Sequence, residues 1–180
     1  MKWWSKLFNR FLRKDLFKDF LTLRRARRVL WYALYLFVVL IVQDMVLTQI
    51  RPGGVCAFIQ PAAVAAVGMF EGAIPGVVFG LVMGIFTDMF TPHTVVLYTI
   101  LFPILAFGVG FISQFFLNRR FMGYMLSALA ALLITALVQS LLVSLDSGLS
   151  FSVLWTAILQ TLWSLPMAVL TYFPPARWIE

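Results

Sequence analysis

Three long stretches of this chain, residues 89–118, 121–145 and 147–176, contain no Lys, Arg, Asp or Glu. Each exceeds the roughly 20 apolar residues that carry a helix across hydrocarbon at about 1.5 Å per residue. Soluble domains usually carry about twice the 12% charged fraction found here. With 62% hydrophobic residues, the 180-residue chain reads as an all-α integral membrane protein.

Turn-forming clusters cut the apolar sequence into six expected crossings: 29–47, 55–70, 73–90, 95–117, 122–145 and 149–173. The separators are RPGG at 51–54, Glu71-Gly72, TPHT at 91–94, NRR at 118–120 and DSG at 146–148. Connections this short make neighbouring helices antiparallel, so residues 29–173 are expected to form a six-helix transmembrane bundle. The second crossing has only 16 residues and contains Pro61; it would reach about 24 Å. It reads either as a short full crossing or as a re-entrant hairpin with the third.

Ten of the 14 Lys and Arg residues precede Val29, Arg119 and Arg120 follow the fourth crossing, and Arg177 follows the sixth. Six crossings put these groups on one face, which the positive-inside rule makes cytoplasmic. Both termini are then cytoplasmic, with residues 174–180 as a short tail, and Arg51 is the exception.

The leader, residues 1–28, has no signal-peptide core or cleavage site. Trp3, Trp4, Phe8 and Phe11 recur at helical spacing, with Arg10, Arg13 and Lys14 among the cations on the remaining surface. This is the pattern of an N-terminal cytoplasmic interfacial amphipathic helix, with aromatics at the acyl boundary and cations on anionic lipid. A plain topology signal would need only the cations. Basic residues interleaved with aromatics also occur in nucleic-acid binders, but a leader tethered beside a membrane already has a polyanion next to it, so no nucleic acid is expected.

Glycines stand at 68, 72, 76, 80 and 84, and Asp88 continues the same spacing. Helices in a bilayer gain little by hiding apolar surface and associate through close backbone approach, for which small residues at i and i+4 are suited. Gly76, Gly80 and Gly84 therefore mark a groove along the third helix, placing it at the centre of the bundle or against a partner. The rival use of such a groove is a permeation path. Asp88 lies near the C-terminal end of that helix, where the dipole opposes a carboxylate. Two readings stand: an interfacial acid bonded to Thr87, Thr91 or a loop amide, or a partner-binding group.

Little here serves catalysis. His93 is the one histidine, Cys56 the one cysteine, and no cluster has metal-ligand spacing. Glu71 and Asp88 are separated by 17 residues of expected helix, about 25 Å, too far for a carboxylate pair. No enzyme activity, cofactor or metal is expected.

The run GAIPGVVFGLVMGIFTDMFTP, with Gly76, Gly80, Gly84 and Asp88, resembles the glycine-spaced helix ending in aspartate of the rod shape-determining protein MreD family. QDMVL at the end of the first helix, the Arg-Pro that follows, and SLPMAVLTYFPP near the C-terminus are similar too. The outer loop departs from the family, with PHTVVLY where a glycine often follows the aspartate. The resemblance implies a non-enzymatic scaffold of the bacterial cell-elongation complex in the plasma (inner) membrane. Its partners would be an MreC-like bitopic scaffold and, through it, MreB filaments, RodA and a class B penicillin-binding protein, so that peptidoglycan synthesis maintains cell shape. Six short-looped helices also resemble the vitamin-binding S-component of energy-coupling-factor transporters. That reading requires a cavity lined by several of the membrane glutamines.

Overall fold

A computed structural model describes residues 23–49, 54–90, 96–115, 121–147 and 151–172. They form six α-helices and no strand: α1 (Leu23–Ile41), α2 (Gln60–Glu71), α3 (Ala73–Phe90), α4 (Leu97–Phe115), α5 (Phe121–Ser147) and α6 (Phe151–Ala168). By length and composition, three helical stretches are able to cross a membrane: Val29–Leu47, Ala73–Phe90 and Phe121–Ser144. Of the leader, residues 1–22, with Trp3, Trp4, Phe8, Arg10, Phe11, Arg13 and Lys14, lie outside the described residues.

α1 runs without a break into a π-helical turn, Val42–Leu47. Its inward residues Leu36, Val39, Leu40, Gln43 and Leu47 are buried, whereas Leu30, Leu34, Phe37 and Ile41 are exposed. This is a wall helix, with one face on protein and one apolar face outward. Tyr32 and Tyr35 dock it on Phe79 of α3, ring centroids 6.4 and 5.9 Å apart.

The expected second crossing is helical only from Gln60. Residues 55–59 are non-helical, and Pro61 stands at the start of α2, where its missing N–H removes no intrahelical bond. The helix has 12 residues, about 18 Å, and its lead-in of five residues adds at most roughly 17 Å. Every residue from Gln60 to Met69 is buried. Such all-round burial suits its sequence, since Ala62, Ala63, Ala65 and Ala66 are short enough to let α3, α4, α5 and the turn that follows α6 pack around it. α2, rather than the third helix, is therefore the hub. The third helix has only one buried face; Val78, Leu81, Ile85, Phe86 and Met89 are exposed on the other.

One residue joins α2 to α3. Gly72, at φ 105°, donates its N–H to the Gly68 carbonyl at 3.1 Å and accepts from the Gly76 N–H at 3.1 Å. Positive φ favours glycine, which has no Cβ to crowd the neighbouring carbonyl. α3 then turns back along α2, and α4 returns beside both. α6 ends in a 3-10 turn, Val169–Tyr172. There Tyr124 of α5 donates to the Ala168 carbonyl at 2.7 Å, and its hydroxyl lies 2.6 Å from Thr171 Oγ1.

Candidate functional site

The glycine groove is filled by the chain's own helices, by α4 at Gly80 and Gly84 and by α2 at Gly76. A Cβ built on Gly80 would lie 2.9 Å from the Phe102 carbonyl oxygen and 3.1 Å from Pro103 N. One on Gly84 would collide with the Tyr98 carbonyl oxygen and lie 2.7 Å from Thr99 Cα. One on Gly76 would lie 2.7 Å from Gly68 Cα, and one on Gly68 the same distance from the Ala106 carbonyl oxygen. All these obstacles are backbone atoms, so no side-chain rotation makes room. On α4 the facing residues Tyr98, Phe102, Ala106 and Gly110 also recur every fourth position. Two i±4 rows interlock here, the pattern of right-handed crossings rather than of a coiled-coil seam. The seam leaves no slot for another protein's helix between α3 and α4.

Asp88 explains why the stripe ends in a charge. Its Oδ1 accepts from the Tyr98 N–H at 3.0 Å, while Oδ2 accepts from the Thr99 N–H at 2.8 Å and the Thr99 hydroxyl at 2.6 Å. Tyr98 and Thr99 are the second and third residues of α4. Their amides are among the four that an α-helix leaves without intrahelical acceptors. A carboxylate from another helix thus takes the role of an N-cap, where the α4 dipole favours negative charge. Gly84 makes this possible: without its missing side chain, α3 could not come near enough for Asp88, one turn further on, to reach. Val96, immediately before α4, is held at φ 46°, a left-handed conformation rarely adopted by β-branched residues. Thr87 is not the partner of Asp88; its hydroxyl contacts Gln60 Oε1 and the Met83 carbonyl, both at 2.8 Å.

A second polar constellation secures the lead-in to α2. Gln43, turned inward by the π-turn of α1, donates through Nε2 to the Ala57 carbonyl and accepts through Oε1 from the Ile59 N–H, both at 2.9 Å. The Phe58 N–H between them donates to Ser164 Oγ of α6 at 2.8 Å. Side chains from two helices therefore supply the bonds that a neighbouring strand would give. Bonds of this kind are what non-helical backbone needs wherever it is shielded from water.

The membrane glutamines do not line a large chamber at this site. Gln139 and Gln160 share a cleft with Phe58, Leu132, Ala136, Thr161 and Ser164 whose volume is about 10 Å³, the capacity of one water. Gln139 Nε2 also donates to the Tyr98 hydroxyl, which links this cleft to the first turn of α4. Among the described residues, no three of His, Cys, Asp and Glu gather as a metal site. Cys56 is a half-buried free thiol, and Glu71 is engaged by the Tyr32 hydroxyl at 2.6 Å. His93 lies outside the described residues. No protein-family model, curated protein or solved structure matches the chain.

Proposed function

We propose that this chain is a non-enzymatic adaptor of the bacterial cell-elongation machinery, resembling the MreD family, and that it acts in the plasma membrane. In this reading it crosses six times with both termini cytoplasmic. The hub α2, with its non-helical lead-in, completes the second crossing, and the basic leader lies on anionic lipid. Its binding partner is an MreC-like bitopic scaffold, through which it aligns MreB, RodA and a class B penicillin-binding protein.

One observation carries the reading: several key polar side chains of the interior are spent on the chain's own backbone. Gln43, Ser164, Asp88 and Tyr124 each bind main-chain groups. The cleft at Gln139 and Gln160 holds about one water, far below the several hundred Å³ of a small-molecule site. That weighs against vitamin capture at this place. A bundle so organised has its outer helix faces left with which to engage other proteins.

The test is affinity purification of the full chain from membranes of a rod-shaped host, in mild detergent. The expected result is stoichiometric recovery of the bitopic scaffold. Recovery of a transporter's energising subunits, or saturable binding of a labelled vitamin without the scaffold, would overturn the proposal.

A further inference from the structure

Of the three acids whose side chains are described, two are committed within the chain. Asp88 caps α4 and Glu71 accepts from Tyr32. Asp44 is different. It sits in the π-turn at the end of α1, its side chain is exposed, and no partner for its carboxylate occurs among the described residues.

The local geometry fixes this outward position. Gln43 must face inward to hold Ala57 and Ile59, each at 2.9 Å. The wider π-turn accommodates an extra residue within the helix, and Asp44, next in sequence and about a quarter of a turn further round, falls on the exposed flank. There it joins the exposed strip Leu30, Leu34, Phe37 and Ile41, and its neighbour Met45 is 69% exposed. The strip follows 3- and 4-residue spacing, the width that one helix covers. Its acid stands within one turn of the end of the apolar stretch Val29–Leu47. An ionised group at membrane depth is costly unless it pairs.

We propose that this strip of α1 docks a single membrane helix that presents Lys or Arg at the depth of Asp44. Leu34, Phe37, Ile41 and Met45 supply the apolar contact, and the carboxylate supplies the charge that selects the partner and fixes its register. A lysine or arginine stem lies along the apolar strip while its cationic head reaches Asp44. The proposal rests on the six-crossing orientation above only for which side of the membrane this end of α1 faces.

Designed helices test it independently of any elongation protein. The full chain, carrying a donor fluorophore, is reconstituted in phosphatidylcholine vesicles with acceptor-labelled Leu/Ala helices that carry one lysine at the Asp44 depth, one lysine at the opposite end, or none. Energy transfer is expected to show about tenfold tighter association of the depth-matched helix. Asp44→Asn should abolish the difference, and Asp44→Lys should transfer the preference to a helix with glutamate at that depth. Thermal melting of each variant checks that the exposed substitution leaves the fold intact. Equal association of all three helices overturns the proposal. So does a lysine preference that survives in Asp44→Asn, or one that disappears when phosphatidylethanolamine is added, which would assign the carboxylate to lipid head groups. Failure of scaffold recovery in the purification above would leave these outcomes unchanged, so the two proposals fail separately.

Discussion

Replacing Gly84 with alanine puts a methyl carbon 2.7 Å from Thr99 Cα and from the Tyr98 carbonyl carbon. Ordinary contact begins at 3.4 Å and the Tyr98 carbonyl oxygen is nearer still, so the first turn of α4 must retreat by at least 3.4 − 2.7, about 0.7 Å, to reach ordinary van der Waals separation. Added to the 3.0 Å bond from the Tyr98 amide to Asp88, that retreat gives about 3.7 Å, past hydrogen-bonding range. Overpacking costs about 1–3 kcal/mol and loss of an N-cap about 1 kcal/mol. Removing glycine from a helix returns up to about 1 kcal/mol. The net expectation is a loss of about 1–3 kcal/mol. Steric trapping of the full chain in lipid bicelles measures it. Gly108→Ala is the matched control, since a Cβ there meets nothing within 4 Å; it should be neutral or slightly stabilising. Asp88→Asn should add little in the Gly84→Ala background, because the cap is already broken, leaving a coupling of about 1 kcal/mol in the double-mutant cycle. Gly84→Ala matching Gly108→Ala in stability, or strict additivity with Asp88→Asn, would refute the coupling of groove to cap.

Asp88→Ala should cost about 2 kcal/mol, with faster amide exchange confined first to Tyr98 and Thr99, because two helix-end donors lose a charged acceptor. Val96→Gly should raise thermal stability by about 1 kcal/mol, relief of the left-handed strain outweighing the entropy that glycine adds to the unfolded chain; an unchanged or lower melting temperature would show that the conformation carries no strain. Gln43→Leu should cost about 1–3 kcal/mol by leaving the Ala57 carbonyl and Ile59 N–H unpaired, and the Ile59 amide should then exchange faster while that of Phe58, held by Ser164, changes less.

Some of this architecture was legible in the sequence. The limits of α3, Ala73–Phe90, could be read because Glu71-Gly72 punctuates its start and the TPHT cluster follows its end. The i+4 glycines marked a surface of close backbone approach, because small residues at that spacing have few other effects in a bilayer. Which backbone would fill it was not legible, since the match with Tyr98, Phe102 and Ala106 depends on how two helices cross. The target of Asp88 was hidden for the same reason: a cap supplied from another helix leaves no local signature of the kind Ser or Asp leaves at its own N-terminus. Residues 55–59 read as helix in the sequence because an apolar run bounded by turn residues looks alike whether helical or not. Only the backbone bonds to Gln43 and Ser164 reveal that it is not helical. The π-turn was equally invisible, since one additional residue barely disturbs a hydrophobic period over so short a stretch.

The seam itself is best tested by a high-resolution cryo-electron microscopy map of the full chain alone in a lipid nanodisc. The account predicts α3 in direct backbone contact with α4 at Gly80 and Gly84 and with Gly68 of α2 at Gly76, with the Asp88 carboxylate on the Tyr98 and Thr99 amides and no density between the helices. Acyl-chain density lying in the groove, or Asp88 pointing away from α4, would contradict it.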